Sequence, residues 1–348
     1  MQKLKITMIN IEIIADSPKD FLSQMQDEIG GNITEKWNEF NLFVNNGNAF
    51  GNIKYIPFDW GVNLLDFQIK FHKEIELKIK SHEEFNPIRF IYPSLGNLKH
   101  RFGVHNEEKM VEQFQSLIFT NKDGGYNFIS FPKDIDLDVN VIQIVRKHFL
   151  KKRTTNVSTL NKKLYEVFVD TDHDNRFSHY GTLNLKMADF IKGLHKIKAK
   201  GMLRILKIEA KVYEILSLHI QQHNRLLSGE TIPDSLNKTE LKIIRKVSNS
   251  IIKNPAKEYS LEQLSFKSGL TQAKLQDGFK FLYNRTVTEY IRHLRLESAR
   301  DMLKTTDLNI SQIVYSIGFS SRSYFSKIFK EKYGLTPNQF KKQLKQVA

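Results

Sequence analysis

The last third of the chain repeats itself, and no other feature of the sequence restricts the fold as tightly. Leu275, Phe279, Lys280, Tyr283, Thr286 and Tyr290 align with Phe325, Phe329, Lys330, Tyr333, Thr336 and Phe340, each pair 50 residues apart. Just upstream the offset is 49, pairing Leu264 with Ile313 and Gly269 with Gly318. The second copy therefore holds one extra residue, just after Gly318-Phe319. One supersecondary unit is used twice, which fixes the architecture of this region before any single residue is interpreted.

The unit reads as two short helices joined by a tight turn. Ser260 is placed to cap a first helix, with Gln263 three residues on, as in a capping box. Gly269 stands where a helix ends in a left-handed residue. Thr271 then caps a second helix, predicted over Gln272–Tyr283. In the second copy Asn309 or Ser311, with Gln312, starts the first helix, Gly318 closes it, and Ser320 or Ser321 opens Arg322–Tyr333. Such a pair is a helix-turn-helix, whose second helix carries base-reading side chains. Leu275, Phe279 and Leu282 form the expected inner face of one copy; Tyr324 or Phe325, Ile328 and Phe329 form that of the other.

The outward positions are Gln272, Ala273, Gln276 and Asp277 in the first copy and Arg322, Ser323, Ser326 and Lys327 in the second. Glutamine pairs bidentately with adenine and arginine with guanine, so these eight are the candidate DNA-binding residues. The alternative is an ordinary solvated face, which the duplication disfavours. Between the copies runs a predicted helix, Thr288–Leu303, with Tyr290, Ile291, Leu294, Leu296, Ala299 and Leu303 as its apolar stripe and Arg292, Arg295 and Arg300 available for phosphates or acidic partners. A rigid link of this kind would let two recognition helices enter successive major grooves, about 34 Å apart.

Charge agrees with the motif. Lysine and arginine total 53 against 38 acidic residues, a formal net charge of +15. Residues 241–348 alone carry 20 basic and 8 acidic residues, a net of +12, which leaves +3 for the rest. A field concentrated in this way suits a polyanion.

Residues 259–341 resemble the DNA-binding domain of the AraC/XylS family of bacterial transcription regulators. The resemblance rests on Ile310-Ser311-Gln312-Ile313, Gly318-Phe319-Ser320, Ser323-Tyr324-Phe325-Ser326-Lys327-Ile328-Phe329-Lys330 and Tyr333-Gly334-Leu335-Thr336-Pro337, with Tyr290-Ile291, Arg295-Leu296, Ala299 and Leu303 in the linking segment. It covers roughly a quarter of the chain. There are departures. Ser265 and Val314 stand where the family usually has alanine, Asn284 where it often has glycine, and Asp277 where a basic residue is common. An aspartate repels phosphate but accepts from cytosine. The resemblance implies an operator in double-stranded DNA, a regulator that commonly activates through RNA polymerase, and an N-terminal domain that binds a small effector or mediates dimerisation. Residues 203–218 are similar to the helical connector of the siderophore-responsive, pyochelin-regulator-like branch, which would make a siderophore one option for the effector.

The expected organisation is an α+β multidomain chain. Residues 1–150 read as a strand-rich sandwich or barrel, with runs at Phe50–Phe58, Asn63–Phe71, Ile75–Ile79, Ile88–Tyr92, Gln115–Thr120 and Asn127–Phe131. Leu4, Ile6 and Met8, then Ile9, Ile11 and Ile13, recur at period two. Turn signals fall at Asn45–Asn48, Asp59–Gly61, Pro93 and Asp123–Gly125. Residues 151–228 read as a helical connector, with Val157–Val169, Leu183–Ile197 and Gly201–Leu227 as helices. Leu206, Tyr213, Ile220 and Leu227 recur every seventh residue, as a homodimer seam or as packing within one subunit. Residues 229–239 are the expected linker and 240–348 the double helix-turn-helix domain.

Several chemistries are excluded. The chain has no cysteine, so it has no disulfide framework, thiolate metal site or cysteine nucleophile. Some relatives of such a DNA-binding domain are fused to a repair methyltransferase, whose chemistry needs a cysteine acceptor. No Walker or dinucleotide motif occurs. His100 and His105 lie five apart, a poor spacing for a metal pair. Asp170, Asp172 and Asp174 resemble a calcium loop, but Asn175 and Gly181 replace the glycine and glutamate it needs. No catalytic residue, metal site or cofactor is expected. No stretch approaches the roughly 18 apolar residues of a membrane span, and the start lacks a signal peptide's apolar block; a cytoplasmic protein is expected. Two readings of the whole remain: an effector-controlled transcription regulator, or a constitutive DNA-binding protein whose N-terminal part is a structural or protein-interaction module. An enclosed cavity with converging polar groups would favour the first.

Overall fold

Strands that bury both faces need a partner layer on each side. The N-terminal region supplies both, a second sheet on one side and helices on the other. The computed structural model describes residues 8–14, 18–82, 84–151, 156–227, 233–283 and 285–347. Leu4 and Ile6 of the expected first strand, residues 229–232 of the expected linker, and Asn284 lie outside the described residues. The chain divides into two units, Met1–Glu230 and Thr231–Ala348.

The first unit runs β1 (Ile9–Ile13), α1 (Pro18–Ile29), β2 (Asn32–Lys36), β3 (Glu39–Asn45), β4 (Ala49–Pro57), β5 (Val62–Phe71), β6 (Ile75–Lys80), β7 (Ile88–Leu95), β8 (Leu98–Phe102), β9 (Lys109–Val111), β10 (Gln115–Thr120), β11 (Tyr126–Phe131) and β12 (Asp136–Ile144). Then follow α2 (Arg146–Phe149), α3 (Lys162–Val169), β13 (Phe177–Leu183), α4 (Leu185–His195) and α5 (Gly201–Leu227). One sheet has the order β1-β6-β11-β8-β9; the other has β13-β10-β7-β12-β5-β4-β3-β2. β1 runs parallel to β6, and the other pairings are antiparallel.

Period two sorts each strand between two cores. Phe67, Ile91 and Val139 of the large sheet meet Leu77, Ile129 and Phe131 of the small one, with Phe21 and Leu22 of α1 beside them. On the other face of the large sheet Phe90, Tyr92 and Ile142 pack with Met187 and Ile191 of α4 and with Val212, Ile215 and Leu216 of α5. The expected sandwich is present, and the six predicted runs appear as β4, β5, β6, β7, β10 and β11. Pro93 is not a turn: it lies within β7, opposite Val139, where the register shifts. β13 runs through a stretch expected to be helical or loop. It is possible because a Cβ on Gly181 would stand 2.1 Å from Ser116 Oγ of β10. On α5, Tyr213 and Ile220 pack on the core while Leu206 is exposed, as are Met202 and Leu203; the side chain of Leu227 lies outside the described residues.

The second unit is all helical: α6 (Lys238–Lys253), α7 (Leu261–Ser268), α8 (Gln272–Tyr283), α9 (Val287–Thr305), α10 (Ile310–Ser316), α11 (Arg322–Tyr333) and α12 (Pro337–Val347). Its second half closes around Leu296, Ala299, Ile313, Val314, Phe325 and Phe329. α8 lies so close to α6 that a Cβ on Gly278 would meet Ile244 Cδ1 at 2.1 Å.

In the first unit α4 is fastened to the large sheet by charge. His195, its last residue, places Nε2 3.0 Å from Asp66 Oδ2 and Nδ1 3.7 Å from Asp138 Oδ2. Asn140 Nδ2 donates to the other Asp66 oxygen at 3.1 Å. Burial opposes charge on the imidazole, but the hydrogen bond and charge of Asp66, with Asp138, raise its pKa above the ordinary 6.5. A group whose folded pKa is raised stabilises fully below its unfolded pKa, and that contribution is lost as pH rises through the folded value. Both tryptophans, Trp37 and Trp60, lie in this unit, so their fluorescence reports it alone. Burial holds His100, His173, His179, His219 and His223 of the same unit neutral, which by itself makes stability rise with pH, so His195 is read by difference. The stability advantage of wild type over His195→Asn, from urea unfolding followed by tryptophan emission, is expected to shrink as pH rises through the folded pKa of His195. A wild-type advantage over His195→Asn that stays constant or grows as pH rises would reject the charged lock.

Candidate nucleic-acid interface

Local capping chemistry sets each recognition helix. Ser260 Oγ accepts from Gln263 N at 3.0 Å to start α7, and Gly269 ends it with φ +69°. Thr271 Oγ1 accepts from Lys274 N at 3.2 Å at the start of α8. In the second copy Asn309 and Gln312 form a reciprocal capping box before α10. Ser321, not Ser320, caps α11, accepting from Tyr324 N at 3.2 Å. Leu275, Phe279 and Leu282 are buried, as are Phe325, Ile328 and Phe329, whereas Tyr324 is exposed. Ser265, one of the departures from the family pattern, donates to the Leu270 carbonyl at 2.6 Å and so leaves no unpaired hydroxyl in the turn.

The eight outward residues separate into two groups. Gln272, Ala273, Arg322, Ser323 and Lys327 are exposed, while Gln276, Asp277 and Ser326 are half-buried. Among the described residues no hydrogen bond or ion pair engages Arg322 or Lys327. Two others are already occupied. Gln276 Oε1 accepts from Val287 N at 3.0 Å, satisfying one of the orphan N–H groups at the start of α9. Asp277 Oδ2 accepts from Ser235 Oγ at 3.0 Å. Bidentate pairing of Gln276 with adenine needs the same carboxamide oxygen that caps α9. The first copy thus presents Gln272 and Ala273 openly, and the second presents Arg322, Ser323 and Lys327.

Arg295 does something the sequence did not suggest. Instead of facing phosphates, it donates from Nε to the Pro255 carbonyl at 2.9 Å, from Nη1 to Gly318 at 2.7 Å and from Nη2 to Lys257 at 3.0 Å. Its guanidinium also lies over the Phe319 ring, 5.6 Å from the centroid. The loop before the first helix-turn-helix and the turn inside the second are clasped by one side chain of α9. Other cations are likewise spent internally. Lys274 pairs with Glu240 at 2.6 Å, Arg300 with Glu297 at 2.9 Å, and Lys332 with the same Glu297 at 2.5 Å. Arg292 reaches only Tyr324 Oη, at 3.5 Å. The positive charge open to a ligand on the recognition helices is that of Arg322, Lys327 and Lys330 on α11 and Lys280 on α8, all exposed.

A family model described as a helix-turn-helix domain matches residues 264–343. The chain is 33% identical over 165 residues to the HTH-type transcriptional activator RhaS of Mannheimia succiniciproducens, covering 47% of this chain and 59% of that protein. It is 32% identical over 89 residues to the HTH-type transcriptional regulator AlkR of Acinetobacter baylyi, covering 26% of this chain and 29% of that protein. The C-terminal unit is an AraC/XylS-type DNA-binding domain. A crystal structure of a transcriptional regulator with an AraC-type DNA-binding domain, from Chromobacterium violaceum, is 25% identical and covers 32% of this chain and all of that one, with a TM-score of 0.29. The chain spans 59% of the RhaS relative and 7% of a histidine kinase of Formosa agariphila to which it is also similar. These matches lend no support to the siderophore-responsive branch.

In the AraC-type domain, Arg295→Met would remove all three donors and leave the Pro255, Lys257 and Gly318 carbonyls without them. The expected loss is about 2 kcal/mol of domain stability, read as a lower melting transition by far-ultraviolet circular dichroism with tryptophan-detected unfolding unchanged. Affinity should fall equally for specific and random DNA. An unaltered melt combined with a shallower salt dependence of DNA binding would return Arg295 to the phosphate-contacting role.

Proposed function

We propose that the chain is a sequence-specific DNA-binding transcription regulator, with α8 and α11 reading successive major grooves. The observation that carries it is the outward face of α11. A duplicated, capped helix-turn-helix holds Arg322, Ser323 and Lys327 exposed and without internal partners among the described residues, while neighbouring cations are used to build the domain. Arg322 and Ser323 read base edges, and Lys327 contacts phosphate. Gln272 and Ala273 make the first copy's contribution, with Gln276 held back by its bond to Val287.

The proposal extends to activation through RNA polymerase, supported by the activator name of the RhaS relative. It also includes control by a small-molecule effector in the N-terminal unit, supported by a cavity between its two sheets where Arg89, Tyr55 and Gln143 converge. A homodimer is part of the same reading, and the exposed Met202, Leu203 and Leu206 at the start of α5 are the seam it would use. So are a cytoplasmic setting and the absence of enzymatic activity. Among the described residues no helix is long and apolar enough to cross a membrane.

The test selects binding sites from a random duplex pool with the full chain, then titrates variants by gel shift. Arg322→Ala should lose about 1–3 kcal/mol on the selected site, a drop of about 5- to 150-fold, with little change on random DNA. Lys327→Ala should weaken both alike. Equal losses on both duplexes for Arg322→Ala would reject base reading, and failure to enrich any sequence would reject a sequence-specific binder.

A further inference from the structure

At one end of the sandwich the turn between β4 and β5 meets the start of α2, and a pocket of about 450 Å³ opens there. Small-molecule sites span about 300 to 1,000 Å³. The pocket adjoins the space between the sheets and shares Tyr55 and Phe85 with it. Four of its lining residues are aromatic: Tyr55, Phe58, Trp60 and Phe85.

Trp60 is held there at a cost. Its backbone is left-handed, with φ +61°, a conformation that strains a bulky side chain. Gly61 beside it is left-handed too, and a Cβ there would stand 2.8 Å from the Val145 carbonyl oxygen. The Gly61 carbonyl accepts from Val145 N at 2.8 Å, which pins the turn to the chain entering α2. Packing does not offset the strain. Trp60 is 48% exposed, and among the described residues no ring stacks on it.

The polar group that goes with this ring is Asn63. It lies on β5 opposite Gln143 of β12, lines the same pocket and is 7% exposed. Among the described residues no hydrogen bond engages its amide side chain. Its neighbours satisfy each other instead, Tyr55 Oη donating to Gln143 Oε1 at 2.8 Å. Asn63 therefore keeps an acceptor and two donors unused, a costly state for a buried amide unless a ligand meets them. Lys151 and Glu84, both exposed, add opposite charges to the lining, so no single sign of charge is favoured.

We infer that this pocket binds a nucleobase, carried as an uncharged nucleoside, with its ring stacked on Trp60 and its hydrogen-bonding edge paired with the Asn63 amide. The inference rests on the effector reading and names the effector's class. An aromatic side chain stacks on the face of any base, and asparagine pairs bidentately with adenine. A sugar alone suits the pocket poorly. Each of its buried hydroxyls would need a partner, and Asn63 is the one amide in the lining.

Calorimetric titration of the full chain with adenosine, purine riboside and ribose is the test. Purine riboside lacks the exocyclic amine that would donate to Asn63 Oδ1, so it should bind about tenfold more weakly than adenosine. Ribose should give no detectable heat. Asn63→Leu should bind adenosine and purine riboside alike. Trp60→Gly should bind no adenosine. Its unfolding, followed by the emission of Trp37, should come at a temperature no lower than that of the wild type, because glycine takes the left-handed backbone without strain. No binding of adenosine, purine riboside or ribose binding as tightly, or a preference that survives Asn63→Leu would each overturn the inference. So would adenosine binding by Trp60→Gly, or a Trp60→Gly chain clearly less stable than the wild type. The two readings fail separately. Adenosine binding that leaves DNA affinity unchanged keeps the site and removes its effector role, whereas specific DNA binding with no adenosine binding removes the site alone.

Discussion

Arg295 holds the DNA-binding unit together where its two halves meet. Its three donors reach carbonyls on both sides of the domain, at residues 255 and 257 before the first helix-turn-helix and at residue 318 within the second. The clasp works only because Gly318 has no side chain. A Cβ there would stand 2.4 Å from the Ala256 carbonyl oxygen. Gly269, its counterpart in the first copy, has the same left-handed backbone but open space around it. Both copies therefore need glycine to turn the chain, and only the second needs it to admit another segment. The direction in which α11 presents Arg322 and Lys327 follows from where this clasp sets the turn that precedes it.

What was legible in the sequence was what local chemistry decides. α5, α8 and α11 begin and end where predicted, because caps, glycines and the helical period act within a few residues. The elements not foreseen depend on distant partners. α1 exists to cover the edge of a core built by both sheets, and β13 needs a glycine that faces Ser116 more than sixty residues earlier. The same limit applied within the site. Helical spacing correctly put Gln276 and Arg295 off the apolar face, but spacing gives a direction and not a partner. Gln276 turned out to cap α9, and Arg295 to bind three carbonyls.

The charge of the last third gains meaning from this sorting. A net of +12 over residues 241–348 marks a polyanion-binding region, yet part of it is consumed in construction. Lys274 and Lys332 hold α8 to α6 and α11 to α9 through Glu240 and Glu297, Arg295 binds backbone carbonyls, and Arg300 pairs with Glu297 along α9 itself. Such pairs align elements more than they attract DNA, because a cation already facing a carboxylate contributes little field outside. Of the two recognition helices, α11 carries three exposed cations, Arg322, Lys327 and Lys330, against Lys280 alone on α8, so the two copies present unequal charge.

Three arginines then show how far one side chain's role depends on what receives its donors. Arg146 and Arg295 are met by carbonyls and hydroxyls, and each joins segments that are distant in sequence. Arg89 is as buried as Arg146 and has almost nothing to donate to. Had Arg89 served only to fill space between the sheets, an apolar residue would have done so without the cost of an uncompensated charge. Burial is the common condition of Arg89 and Arg146, so it cannot be what separates structure from function. What separates them is whether the donors are met: those of Arg146 reach carbonyls and a hydroxyl, and Nε of Arg89 reaches nothing among the described residues.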